Sequence, residues 1–295
     1  MIEFLRALVD PDTDFLRLAV LVGVLSSFSF GIIGTYIITR RISYIAGAIS
    51  HCVFGGIGGA LFLQNRMGIT WFTPVLGAII SALLAAVIIG LVSLYAHQRE
   101  DTVIGSIWAI GMASGMLFID LTPGYFDITS YLFGDILLIS SSDIWIVAGL
   151  DLTVVVLSCF FYNKLVAVCF DDEFARLRGI NSSAIYLLLL CLIALTIVLL
   201  VRVVGIIMVI ALLTIPSAIA GHFARRLWQM MTVAVILCMV FTSSGIAFSY
   251  LYNMSSGPVI IIVAGITYVL VISGSWVFKV KKKQIRCSDE TPADK

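Results

Sequence analysis

The feature that most constrains this chain is the length of its apolar runs. Residues 198–213 are broken by a single charge, Arg202, and residues 259–271 carry none. A helix crossing the hydrocarbon core of a bilayer needs about 20 consecutive apolar residues, and such stretches follow one another almost end to end. Only 12% of the 295 residues are charged and 61% are hydrophobic, against about 25% charged in soluble domains. Lipid is therefore the solvent, and no separate soluble domain fits. A transmembrane barrel would show short alternating segments instead, so helices are left to satisfy the backbone. The expected fold is an all-α polytopic bundle of about eight or nine spans.

Spans are predicted at 15–38, 42–63, 71–96, 103–121, 144–162, 183–201, 203–220, 230–251 and 258–278. The count drops to eight if the runs that meet at Arg202 form one broken or re-entrant element. Residues 1–14, with Glu3, Asp10, Asp12 and Asp14, read as an external amphipathic lead-in rather than a cleavable signal. Residues 15–278 form the membrane domain, and residues 279–295 a basic and polar cytoplasmic tail. With the amino terminus outside, the breaks at 40–41, 97–101, 163–181 and 221–229 and the tail all face the cytoplasm. They hold nearly all the Lys and Arg, as the positive-inside rule requires. The outer breaks carry Asp120, Asp127, Asp135 and Asp143 instead.

The net charge of +1 is scattered over loops, so nothing points to nucleic acid. The six cysteines include no C-x-x-C pair and most lie in apolar runs, where cysteine behaves as a small hydrophobe. Gly31 and Gly34, Gly55 and Gly59, and Gly111 and Gly115 sit at helix-contact spacing and predict close packing.

No phosphate loop, H-E-x-x-H or G-x-S-x-G is present, so any ATP must be hydrolysed by a partner. Ionisable groups inside spans are expensive and mark functional candidates. His51, early in the second span, suits zinc, manganese or iron as a neutral imidazole, or else hydrogen-bonds a neighbouring helix. Asp151 is expected one or two turns from the outer end of the fifth span, snorkelling or bonded to another helix. His97 and His222 belong to solvated edges. Glu100 and Asp101 suit a helix N-terminus, and residues 171–180 read as a short amphipathic helix closed by Gly179. Residues 205–226 place Pro216, Ser217, Ala218 and Ala220 before Arg225 and Arg226, which suits either a docking element or a Pro-kinked span end.

Five ordered segments resemble the permease subunits of bacterial ABC importers for zinc, manganese and iron, the ABC-3 family. They are Arg40-Arg41-Ile42-Ser43-Tyr44 through His51, Glu100-Asp101-Thr102 through Gly105, Tyr131-Leu132-Phe133-Gly134-Asp135, residues 205–220, and Ser256-Gly257-Pro258. The resemblance implies a non-catalytic subunit of the bacterial inner membrane, a homodimer or a dimer with a sister permease. It further implies a cytoplasmic ATPase, an extracytoplasmic metal-binding protein, and a divalent metal as cargo with no permanently bound cofactor. It makes His51 a transient metal ligand and assigns ATPase coupling to Pro216, Ser217, Ala218, Ala220, Arg225 and Arg226. Two departures stand out. The family commonly has an aspartate four residues before the histidine, where this chain has Gly47, and Asp172 replaces a usual proline. Ser50, Ser43 or a sister subunit is then expected to supply oxygen to the ion. An ion-coupled secondary carrier would need buried acidic relays, of which Asp151 is the only hint. An intramembrane enzyme would need facing catalytic pairs, and the sequence offers none.

Overall fold

The computed structural model describes residues 14–95, 100–123, 141–206 and 209–289, and all regular structure among them is helical. In chain order the helices are α1 (Asp14–Arg40), α2 (Ser43–Met67), α3 (Pro74–Tyr95), α4 (Glu100–Asp120), α5 (Ser141–Phe160), α6 (Tyr162–Phe170), α7 (Asp172–Leu177), α8 (Ser182–Val204), α9 (Val209–Phe223), α10 (Leu227–Tyr252) and α11 (Ser256–Asp289). Residues 1–13 of the expected lead-in, His97 and the segment 131–135 lie outside the described residues.

Seven helices are long and apolar enough to cross a membrane, and α5 with α6, bent by 71° at their junction, makes an eighth. By length and composition this meets the lower of the two expected counts, yet the shorter α9 carries the chain from the far end of α8 back to the end that bears Arg40, as a ninth span would. The expected span at 203–220 is instead α9, a helix of 15 residues. At 1.5 Å per residue it is about 22 Å long, short of the roughly 30 Å hydrocarbon core. The break expected near Arg202 falls at Gly205, whose φ of +88° ends α8 in a conformation that glycine adopts without a Cβ penalty. The tail expected to begin at 279 continues the backbone of α11 as helix to Asp289.

Two of the helices organise the bundle. α1 packs against α5, α9 and α10, while α2 lies between α3 and α4, and α8 closes the two groups together. Phe30, Ile33 and Tyr36 of α1, Ile49 and Phe54 of α2, and Leu190 and Ile193 of α8 are fully buried. The outer helices α4 and α11 leave Ile110, Leu117, Ile262 and Leu270 more than half exposed. In a bilayer, exposed apolar surface of this extent meets lipid.

The glycines set how close the helices come. A Cβ on Gly55 would lie 2.8 Å from the Gly111 carbonyl oxygen, and one on Gly58 would lie 2.6 Å from that of Gly115. The α2 to α4 crossing therefore uses Gly55 and Gly58. Gly59, expected in that role, faces the Phe118 ring more loosely at 3.7 Å. The reason is helical phase, since a residue three positions on stays on the same face as well as one four positions on. Gly23 faces Thr242 while Gly31 faces Val235, so α10 runs antiparallel to α1. The α9 to α10 turn therefore shares one end of the bundle with Arg40, and α11, antiparallel to α10, returns to that same end.

Candidate metal site

The first turns of α2 carry the site. Ser43, Gly47 and His51 are spaced by four residues and share one helix face. His51 is half-buried, and its ring stacks on the Trp108 indole of α4 with centroids 4.8 Å apart and planes 24° from parallel. Its Nδ1 is buried and has no hydrogen-bond partner among the described residues. Next to it, the Cys52 Sγ donates to the carbonyl of Ile107 at 3.5 Å, which holds α4 in register so that Trp108 meets His51. Above Gly47 the space is filled. A Cβ there would come 2.9 Å from Ile210 Cδ1 and 3.0 Å from Trp108 Cη2 and Cζ3, inside the 3.5–4.0 Å at which carbons pack.

Of the expected oxygen donors, Ser50 is fully buried and its hydroxyl donates to the Gly47 carbonyl at 2.7 Å, within its own helix. Ser43 remains on the His51 face, two turns away. Among the described residues no group of three His, Cys, Asp or Glu side chains converges on one point. Histidine with transient oxygen partners is thus the most that this face can offer a passing ion, and a conduit needs a site that an ion can leave.

Asp151 lies about two turns inside the apolar part of α5, which begins at Ile144. It is buried and accepts from the Ser29 hydroxyl at 2.5 Å and the Ser29 amide at 3.3 Å, so it bonds to α1 instead of snorkelling. His222 is exposed at the edge of α9, with Nδ1 3.0 Å from the Ala218 carbonyl. The segment 171–180 forms α7 as expected, capped by Asp171, which accepts from the Phe174 amide at 2.9 Å, and closed by Gly179 at φ +75°.

The proposed coupling residues divide into two groups. Pro216, Ser217 and Ala220 are buried and Ala218 is half-buried, whereas Arg225 and Arg226 are exposed. From Gly221 to Phe223 and at Arg225 and Arg226 the segment is exposed, while most of its first part packs inside the bundle. The reason is that α9 packs on α1, where a Cβ on Gly34 would collide with the Leu213 carbonyl. By contrast, the elbow of α6 and α7 exposes Phe170 (67%), Phe174 (47%) and Leu177 (86%) at the same end of the bundle. This elbow is anchored by Arg40. Its guanidinium donates to Asp172 Oδ2 at 2.6 Å and to the Val168 carbonyl at 2.8 Å, and lies 5.5 Å from the centre of the Tyr186 ring.

Trp108 and Ile210 do not stand out in the sequence because neither is ionisable. The signal that would have found Trp108 is a large aromatic on α4 opposite a bare glycine one turn before the histidine.

An all-helical, multi-pass bundle with a small-residue crossing, a half-buried imidazole between α2 and α4 and an anchored elbow at one end is the build of a transporter's membrane subunit. The chain matches the ABC 3 transport family over residues 12–275 and belongs to it, as a metal ABC transport permease subunit, the non-catalytic membrane component of such a system. It is 38% identical over 271 residues to a probable metal transport system membrane protein of Chlamydia muridarum, covering 92% of this chain and 91% of that one. It is 33% identical over 256 residues to the manganese transport system membrane protein MntC of Halalkalibacterium halodurans, covering 86% and 84%. The solved structure of PsaBC from Streptococcus pneumoniae in complex with Fab superposes with a TM-score of 0.81 at 28% identity, covering 92% of this chain and 95% of that one.

Proposed function

We propose that this chain forms the membrane path of an ATP-driven importer for a divalent transition metal, with manganese the leading ion. The observation that carries this reading is His51, a half-buried imidazole on α2 with no hydrogen bond at Nδ1 among the described residues, in a member of a metal-transporting family. Manganese is favoured over zinc and iron by the naming of relatives such as MntC. His51 acts as a transient ligand, and Ser43 or a second permease subunit adds oxygen.

The subunit works as a dimer, with itself or with a sister permease. A metal-binding protein feeds it from outside and an ATPase pair binds inside. The end of the bundle bearing Arg40, Arg176, Arg178, Arg225 and Arg226 is cytoplasmic, in keeping with the positive-inside rule. The ATPase docks on that end, with Phe174 and Leu177 of α7 supplying the apolar contact and Arg225 and Arg226 the flanking charge. The subunit itself holds no permanent cofactor.

The test is uptake of radioactive manganese in cells expressing His51→Ala at matched membrane levels, with partner subunits present. Loss of uptake supports the ligand role, and normal uptake moves the path to other helices. Transport by the reconstituted chain without any ATPase would overturn the ATP-driven reading.

A further inference from the structure

We propose that Trp108 is the positioning residue of the His51 site and sets which ligands that site can offer, an inference that rests on His51 being the ligand. Three observations meet here. The first is the stack of indole on imidazole at 4.8 Å. The second is the missing partner at Nδ1. A metal-binding histidine ordinarily donates its other ring N–H to a carboxylate or carbonyl, which fixes the ring's orientation, and no such acceptor is hydrogen-bonded here among the described residues. Contact with the Trp108 face replaces it as the means of orienting the ring. A stacked aromatic pair of this geometry is attractive beyond its burial, which favours one ring orientation over its alternatives.

The third observation is the crowded space over Gly47, where a Cβ would come 3.0 Å from Trp108 Cη2 and Cζ3 and 2.9 Å from Ile210 Cδ1, so that a side chain there must displace the rigid indole edge and the isoleucine methyl. The place one helical turn before His51, from which a side chain would share an ion with it, is hemmed in by the edge of the indole and by the Ile210 δ-methyl. Trp108 thus does two things through one ring: it aims the imidazole and keeps a second α2 ligand out. The ion is left with one nitrogen from this helix and no fixed negative charge beside it, so it is held loosely. Removing the indole opens the slot at the cost of the aim.

The experiment measures manganese binding to the permease purified with its ATPase, for the wild type, Trp108→Phe, Trp108→Ala, Gly47→Asp, the double variant Gly47→Asp with Trp108→Ala, and His51→Ala. Binding is read by electron paramagnetic resonance of free manganese and by metal-dependent quenching of tryptophan fluorescence. Trp108→Ala is expected to weaken binding about tenfold, the usual loss when an orienting neighbour is removed. Trp108→Phe should retain affinity and lose the quenching that arises at position 108. Gly47→Asp alone should gain nothing, whereas the double variant should bind at least about tenfold tighter than Trp108→Ala, as a second charged ligand within one turn allows.

Should Gly47→Asp tighten binding with Trp108 in place, or Trp108→Ala bind like the wild type while His51→Ala does not, the role given to Trp108 is wrong and His51 stands as ligand. Unchanged binding in His51→Ala instead removes the ligand reading itself, and this proposal with it. A Trp108→Ala protein that does not assemble leaves the decision to Trp108→Phe and Gly47→Asp, either of which can overturn the proposal.

Discussion

The Ser29 hydroxyl and amide both donate to one oxygen of Asp151, in the middle of α1 and α5. A carboxylate at the centre of a span costs about 2.5–3.5 kcal/mol on insertion scales, and bonds between membrane helices return only about 0.6 kcal/mol on average. Removing the donor should therefore harm the protein more than neutralising the acceptor. Ser29→Ala is expected to lower the melting temperature in detergent, Asp151→Asn to leave it near the wild type, and Asp151→Leu to rescue Ser29→Ala. A Ser29→Ala protein as stable as the wild type would mean that the pair contributes nothing.

Arg40 holds the elbow through a fork, with one arm on Asp172 and the other on the Val168 carbonyl at the end of α6. Lysine keeps the charge but offers a single point rather than a fork. Arg40→Lys should thus loosen α6 and α7 nearly as much as Arg40→Ala, by about 1.5–3 kcal/mol, the range for hydrogen bonds to charged groups. Faster proteolysis between 160 and 180 in both variants is the expected readout. Protection of Arg40→Lys at the wild-type level would reduce the role of Arg40 to charge alone.

Docking on the elbow has its own consequence. Ile219, within the segment that sequence alone points to, is 2% exposed, so Ile219→Asp would bury an unpaired charge and report on folding. Leu177 is 86% exposed, and Leu177→Asp should leave expression unchanged while reducing co-purification of the ATPase by about tenfold, the 1.4 kcal/mol scale of one apolar contact. Undiminished association in Leu177→Asp would shift docking to Gly221–Arg226.

What the sequence made legible follows from which interactions are local. Most helical spans, the short helix α7 and the stop at Gly179 depend on residues within a few positions of one another, and these were read from the sequence. His51 stood out because an imidazole in an apolar run is conspicuous. The length of α9 was hidden because apolar composition runs through Gly205 without a break and only backbone geometry stops the helix there. Partners more than 100 residues apart, such as Ser29 with Asp151 or Arg40 with Asp172, leave no periodic trace, and neither does the contact of Trp108 with Gly47.

A last long-range pairing explains how Pro216 is tolerated inside α9. Proline has no N–H, so the carbonyl four residues earlier, Leu212, loses its helical partner, and in lipid water cannot replace it. Cys238 of α10, fully buried, brings its Sγ to 3.9 Å from that oxygen as donor. The thiol is thus tied to the proline by chemistry rather than by packing alone. Cys238→Ala should cost about 1 kcal/mol in the wild-type background, the price of an unsatisfied carbonyl. In a Pro216→Ala background the helix regains its own bond to Leu212, and the same cysteine change should become nearly neutral. The difference, measured as a double-mutant cycle on thermal stability in detergent, should reach at least about 0.5 kcal/mol for groups in such contact. Equal costs in the two backgrounds would show that Cys238 fills space in α10 without serving the carbonyl that Pro216 leaves free.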